Sequence, residues 1–415
     1  MDSRQNDQLI SLIQREPVSF PRQNAPMSSL IYLDGHSTTP LAPEAKAAMF
    51  DAWDHVGNPG SPHAAGSRAA SFVAEARRAV ADLVGAAPAE IVFTSGATEA
   101  NNLAIQGVAR AATRRGNPRR RILVSAIEHK SVLEAARGLA SDGFEVIDIP
   151  ATQDGVVDLT ALKALLREPP LLVSVMLANN ETGIIQPIEE AARHAHAAGA
   201  LFHADGAQAV GKVPVDVLDL DVDYLSLSAH KMYGPMGVGA LYVSAAAPKP
   251  EAIQRGGGQE QGLRSGTEPA PLLAGFGAAA RVAREGLTED SAYSRALARD
   301  LLSELDRRQV RYAQVVGDAH RLPGSIFLKL NDVLADDLVQ KLAQTLALST
   351  GSACNKGQLL QSHVLSSMGL STDDSSRTIR MYCSRYNTPA EIAAAGAQIA
   401  LAVGDLALAT GGVRQ

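Results

Sequence analysis

The chain has 415 residues, 46% of them hydrophobic and 20% charged, as in an ordinary globular protein. That length exceeds one typical core, so two domains are expected. A formal net charge of −6 argues against general affinity for nucleic acid or acidic membranes, and no uninterrupted apolar stretch looks long enough to span a bilayer. Two cysteines are too few for a disulfide framework and point to a reducing, cytoplasmic setting.

In chain order, residues 1–30 form a polar extension that carries both charge signs and lacks a signal peptide's apolar centre. Within it, Gln8–Ile13 suits one amphipathic turn, an arm for a partner subunit. From about residue 70, helices alternate with short apolar strands. Helices are expected over Phe72–Leu83 (ended by Gly85), Val132–Leu139 and Ile188–Ala198. Strands are expected at Glu90–Thr94, Arg121–Ser125, Glu145–Ile149, Leu171–Leu177, 201–205, 222–227 and Gly239–Val243. This alternation predicts an α/β fold with a mostly parallel seven-stranded sheet, its sites at the C-terminal ends of the strands. Beyond about 285 the pattern changes to a long helix over 288–308, hairpin-like strands and a final helix. The expected division is a large domain over 46–285 and a smaller α+β domain made of 31–45 with 286–415.

Lys231 lies in Ser228-Ala229-His230-Lys231-Met232-Tyr233-Gly234-Pro235, directly after the alternating strand 222–227. The glycines and proline that follow leave no room for a helix. A lysine pinned there between hydroxyl and imidazole groups is placed to anchor pyridoxal 5′-phosphate (PLP), although most lysines are solvated surface residues. Asp205 ends a short buried strand 26 residues earlier, counting 231 − 205, and supplies the anion a PLP ring nitrogen needs. Asp-Gly-Ala-Gln also reads as a helix N-cap. Gln208 is within reach of the ring 3′-oxygen. Glu90–Thr94 followed by Ser95-Gly96-Ala97-Thr98-Glu99 is a strand, a tight turn and a helix start. Its free N–H groups and hydroxyls make an anion cradle, though Thr98 and Glu99 fit plain capping as well.

With these motifs in place, the chain resembles the class V, fold-type I PLP enzymes and, among them, the cysteine desulfurases of the long-loop type. The resemblance runs from about Ile31 to Val403. It rests on Tyr32-Leu33-Asp34 with Thr38-Thr39-Pro40, on Gly57-Asn58-Pro59 with Ser61 and His63, and on Thr94–Glu99. It continues through Glu128-His129-Lys130, Asn179–Gly183, Asp205–Gln208 and the Lys231 segment. Gly256–Glu260, Arg264–Thr267, Gly351–Cys354 and Ile379-Arg380 complete it.

The resemblance implies roles for particular residues. His129 stacks over the PLP ring and shuttles protons, and Asn180 lies near the 3′-oxygen and the substrate carboxylate. Ala97, Thr98, Ser228 and His230 belong to the phosphate site. Thr267 reaches the neighbouring subunit's site, which implies a homodimer. Arg380, on an alternating strand, presents a planar fork to a substrate carboxylate. No metal is expected.

Cys354 decides the reaction. It lies in the small, polar stretch Ser349–Gln358, whereas Cys383 stands beside Met381 and Tyr382 and reads as packing. An ordinary thiol is only roughly 3% thiolate at pH 7, so activation is required, and Lys356 or His129 could help. The implied activity converts L-cysteine to L-alanine, with a persulfide on Cys354 and sulfur passed to an acceptor protein. Lys231 is then both anchor and Cα base.

Four departures stand out. Gly35-His36-Ser37 replaces the usual lining and is expected to alter the entrance more than the chemistry. Gln261 replaces a common arginine. The segment after Val243 and the C-terminus lack the arginine cluster and tail of iron–sulfur assembly desulfurases, implying a specialised acceptor. Two other readings remain open. A selenocysteine or cystine lyase, or an aminotransferase, would not need Cys354; a non-catalytic relay protein would carry no cofactor on Lys231.

Overall fold

The computed structural model describes residues 30–316, 320–351 and 362–411. Strand β1 (Ile31–Tyr32) opens the chain, followed by helices α1 (Pro43–Trp53) and α2 (Ala64–Val84). The large sheet is made of β2 (Ile91–Thr94), β3 (Arg121–Ser125), β4 (Glu145–Ile149), β5 (Leu172–Ser174), β6 (Leu201–Asp205), β7 (Tyr224–Ser228) and β8 (Gly239–Val243). Its order is β2-β8-β7-β6-β5-β3-β4, parallel throughout β7-β6-β5-β3-β4, with β8 antiparallel to both neighbours. The expected mostly parallel α/β sheet is therefore present. Strands β5, β7 and β8 are buried at every position, because helices cover both faces of a parallel sheet. Each fully buried Leu, Ile or Phe side chain contributes about 1.5–3 kcal/mol to holding these layers together.

Helix α3 (Ala97–Arg114) follows β2, α4 (Lys130–Arg137) follows β3, α5 (Leu159–Leu165) follows β4 and α6 (Ile188–Ala197) follows β5. The boundary expected at 285–286 falls inside one helix, α7 (Ala270–Arg307), of 38 residues. Its first half packs Leu273, Phe276 and Ala280 into the large-domain core. The second half packs Leu297, Leu301 and Leu305 into a separate core with Ile31 and Leu33. The long helix expected over 288–308 is thus the distal half of a strut shared by both cores.

The smaller unit holds β9 (Tyr312–Gln314), β10 (Ser325–Leu330), α8 (Ala335–Leu342), β11 (Leu346–Ala347) and β12 (Ser349–Thr350). Two short helices, His363–Ser367 and Thr372–Ser376, precede β13 (Thr378–Tyr382) and the final helix Pro389–Gly411. The sheet runs β12-β13-β10-β9, and β1 pairs in parallel with β11, which ties the N-terminal segment to this unit. The final helix corrects the reading of apolar stretches: by length and composition it is apolar enough to cross a membrane. Ile392, Ala395, Ile399 and Val403 on it are buried in the core of the smaller unit.

One surface contact links pH to stability. His196, near the end of α6, places Nδ1 2.9 Å from Asp221 and Nε2 2.9 Å from Asp223. The hydrogen bond to Asp223 leads the effects that push its pKa from 6.5 up to about 9, against the opposing effect of burial. A pKa raised on folding stabilises in full below the unfolded value of 6.5, and that stabilisation is lost as pH rises through about 9. Salt should weaken it, because the ring is partly exposed. In thermal melts, H196Q is expected to lie below the wild type at pH 6 and to converge on it above pH 9.

Candidate active site

The parallel strands end at one edge, and the turns leaving that edge surround a cavity of about 780 Å³. The turn after β2 supplies Ser95–Thr98, and the segment after β3 supplies His129. Asn180 follows β5, Asp205 closes β6, and Ser228, His230 and Lys231 follow β7. Gln208 and, from the smaller sheet, Arg380 complete the lining among the expected residues. Thr267 is exposed and does not line this cavity. Cys354 and Lys356 lie outside the described residues.

The anion cradle is set by backbone geometry. Gly96 caps α3 with φ 151°, a conformation that side-chain-bearing residues rarely adopt, and this N-cap residue offers no side chain to the first N–H groups of the helix. A Cβ on Gly239 would stand 2.7 Å from the Gly96 Cα, so the bare strand lets the turn lie directly on β8. Glu99 does not oppose an anion there, because its carboxylate pairs with Arg264 at 2.8 Å and accepts the Ser95 N–H at 2.6 Å.

Asp205 is buried and accepts hydrogen bonds from Asn101 Nδ2 at 2.8 Å and from the Ala207 N–H at 2.9 Å. Asn101 Nδ2 also donates to Ser131 Oγ at 2.8 Å, and Ser131 Oγ lies 2.8 Å from His129 Nδ1. His129 Nδ1 accepts the Ser131 N–H as well, at 3.1 Å, which leaves the ring proton on Nε2, away from that contact. Burial, with Lys231 nearby, lowers the His129 pKa, while Asp205 opposes the shift. The imidazole is therefore a neutral N–H donor at the cavity wall.

Asn101 and Ser131 were not singled out from the sequence. Asn101 had a signal, since it is a polar residue inside the buried stripe Ala100, Leu103, Ala104 of α3. Its Oδ1 is buried without a hydrogen-bond partner among the described residues.

Lys231 sits on a short 3₁₀ turn, Ala229–Lys231, where the sequence suggested only a loop. Its Nζ donates to the main-chain oxygens of His36 at 2.5 Å and Ser37 at 2.7 Å. Burial first, and Arg380 second, bring its pKa down to about 8, so roughly a tenth of the amine is neutral at pH 7. The two carbonyls correct the reading of Gly35-His36-Ser37 as mere entrance lining. His36 is buried, and its backbone holds the reactive amine. His230 Nδ1 lies 3.1 Å from Thr38 Oγ1, and burial brings its pKa down to about 4, so this ring too is neutral.

Arg380 stands on β13 opposite Phe327 and Ser349, and strand alternation turns it away from the core that takes Ile379 and Met381. Its Nη1 donates to the Asn180 main-chain oxygen at 2.8 Å. Nη2 donates to Asp34 Oδ1 at 3.0 Å and Ser37 Oγ at 2.7 Å. Glu181 also lines the cavity, and burial pushes its carboxyl up to about 7 while Ser362 Oγ donates to it at 2.5 Å. Cys383 is buried, and that burial pushes its thiol up to about 12. Among the described residues no cluster of three or more His, Cys, Asp or Glu is placed to hold a metal.

The amine, the buried carboxylate and the open helix start, gathered at the strand ends of a parallel sheet, define a fold-type I enzyme site. The family profile described as Aminotransferase class-V matches residues 31–394. A "Cysteine desulfurase IscS" of Anaeromyxobacter sp. (strain Fw109-5) is 44% identical over 370 residues, 87% of this chain and 89% of the relative. Human "Cysteine desulfurase" is 40% identical over 370 residues, 88% of this chain and 80% of the relative. A solved "NIFS-LIKE PROTEIN" superposes with a TM-score of 0.84 at 34% identity, covering 91% of this chain and all of that one. The structure titled "SspA in complex with cysteine" gives 0.75 at 35% identity, covering 86% of this chain and 99% of that one. The chain belongs to the class-V aminotransferase family and, within it, to the cysteine desulfurases.

Proposed function

We propose that this chain binds PLP with Lys231 as its covalent anchor and removes the sulfur of L-cysteine, storing it on Cys354. The observation that carries this reading is the placement of the Lys231 amine, the Asp205 carboxylate and the α3 start, uncapped by its N-cap residue, around one cavity. Those residues fit the cofactor. The α3 start with Thr98, Ser228 and His230 suits a phosphate, Asp205 suits a protonated ring nitrogen, and His129 and Gln208 suit the ring's face and edge. When bound, PLP supplies an electron sink for the negative charge left on the substrate's Cα.

The chain's own residues do the rest. Arg380, fixed by Asn180, Asp34 and Ser37, is the cation for the substrate carboxylate, and an arriving carboxylate competes with Asp34 for Nη2. Lys231, once released, is the base for the Cα proton, and a pKa near 8 suits an amine that must lose and regain protons near neutral pH. Neutral His129 offers an N–H donor at the wall of the same cavity. The Cys354 thiolate takes the substrate sulfur as the Cβ–Sγ bond breaks, and protonation of the carbon left behind completes L-alanine. Holding the sulfur covalently divides one hard transfer into two steps.

The exposure of Thr267, away from this chain's own cavity, supports a homodimer in which it completes the neighbouring copy's site. The scarcity of cysteine supports a cytoplasmic setting. After incubation with L-cysteine, mass spectrometry of peptides should find added sulfur on the Cys354 peptide and none on Cys383. C354A should carry no bound sulfur. Unchanged alanine formation by C354A would overturn this reading in favour of a lyase that needs no enzyme thiol.

A further inference from the structure

We infer that His36 is a positioning residue that locks the side-chain amide of Gln208 so that an N–H, and not its carbonyl, faces the cavity. The inference rests on the cavity being a PLP site, and it concerns a histidine that the sequence placed at the entrance. His36 lies where three parts of the chain meet: its own N-terminal segment, Gln208 beyond β6, and Ser325 at the start of β10.

The hydrogen-bond logic starts at one carbonyl. The main-chain oxygen of His36 lies 2.9 Å from Gln208 Nε2. A carbonyl only accepts, so the amide nitrogen is the atom beside it and Oε1 is turned toward the His36 ring. Oε1 stands 3.1 Å from His36 Nδ1, and since an amide oxygen only accepts, Nδ1 carries the ring proton. His36 Nε2 then accepts from Ser325 Oγ at 2.6 Å. Burial, with Lys212, Arg380 and Lys231 around it, keeps the ring neutral, and the contacts to Gln208 and Ser325 fix which nitrogen carries its one proton.

Neighbouring groups keep the lock in register. Lys212 Nζ donates to the same Gln208 oxygen at 3.2 Å, which fills its two lone pairs. The His36 ring packs edge-on to Tyr382, with centroids 5.0 Å apart. A Cβ on Gly183, whose φ is +74°, would lie 2.5 Å from Ser325 Oγ, so only glycine leaves that hydroxyl in place. One N–H of Gln208 therefore has no partner among the described residues, and Gln208 lines the cavity.

A fixed N–H donor favours the anionic form of a ring oxygen and lowers the pH at which the lysine-linked chromophore loses its proton. Without the His36 ring, only the main-chain oxygen of residue 36 and Lys212 hold the amide, and the fraction of Gln208 that turns over presents its carbonyl and loses that effect. The other titratable and charged groups that face Lys231 (Asp34, Asp205, Arg380, Lys212, His129 and His230) all keep their side chains in variants at His36.

The test is a pH titration of the visible absorbance of the cofactor-loaded enzyme. H36L and Q208A should each raise the transition by about one pH unit. H36N, which returns an N–H where Nδ1 stands, should titrate within about 0.3 unit of the wild type. H36L added to Q208A should give no further shift, because both act through one amide. Should H36L fail to fold, H36Q, whose amide reaches toward Ser325 but not Gln208, is expected to show the same rise. A wild-type titration in H36L or H36Q, or a full additional shift in the Q208A background, would overturn the inference. A wild type with no lysine-linked chromophore would instead overturn the cofactor reading itself.

Discussion

K231A is expected to lower alanine release from L-cysteine by at least about 10³-fold. In the proposed reaction the lysine has two roles, anchor and Cα base, and among the described residues no other lysine lines the cavity. Lys212, the other buried lysine nearby, is bonded to Gln208 and lies over the Tyr382 ring. K231R should fare no better, because a guanidinium cannot lose its proton to become nucleophile or base. The loss should fall on kcat more than on substrate affinity, since Arg380 and its supports are unaltered. Quantifying alanine under saturating cysteine decides it. Residual turnover within tenfold of wild type would mean that another group performs both roles.

The second large effect is expected at Asp205. D205N keeps the shape of the side chain and removes its charge. It also sets an amide against Asn101 Nδ2 and the Ala207 N–H, which both need acceptors. Losing a preorganised charge aimed at the reacting system should cost about 10²–10³ in kcat/KM. D205E restores the charge but not its place, since one more methylene cannot keep both hydrogen bonds at their present lengths; only partial recovery is expected. Steady-state alanine formation over a range of PLP concentrations separates weakened cofactor binding from slowed chemistry. A D205N enzyme within threefold of wild type at saturating PLP would remove Asp205 from the electronic role assigned to it.

Much of the candidate site was legible because its parts are local. Gly96-Ala97-Thr98 announces a helix start after a strand, Asp205 terminates an apolar run, and Lys231 follows an alternating one; each signal fits within about ten residues. Arg380 was legible for the same reason, as an outward position on an alternating strand. The supporting shell was not. His36 meets Gln208 across 172 residues and Ser325 across 289, and no periodicity reports such a contact. Asn101 reaches Asp205 across 104 residues and shows locally only as one polar residue on an apolar helix face. The helix α7 hid its length in the same way: its two halves are buried in different cores, so the pattern over 270–307 reads as a boundary.

Sequence alone determined the order of strands and helices, the α/β class, and the identities of the amine, carboxylate, anion cradle and guanidinium that the cavity gathers. These follow from short-range backbone preferences and side-chain alternation, which depend only on near neighbours along the chain. Tertiary structure decided the protonation and aim of those groups. The neutral Lys231 fraction, the His129 proton on Nε2 and the locked Gln208 amide arise from burial and from hydrogen-bond partners far away in sequence. Hydrogen bonding and desolvation act through space, over a few ångströms, and only the folded chain determines which atoms share that distance.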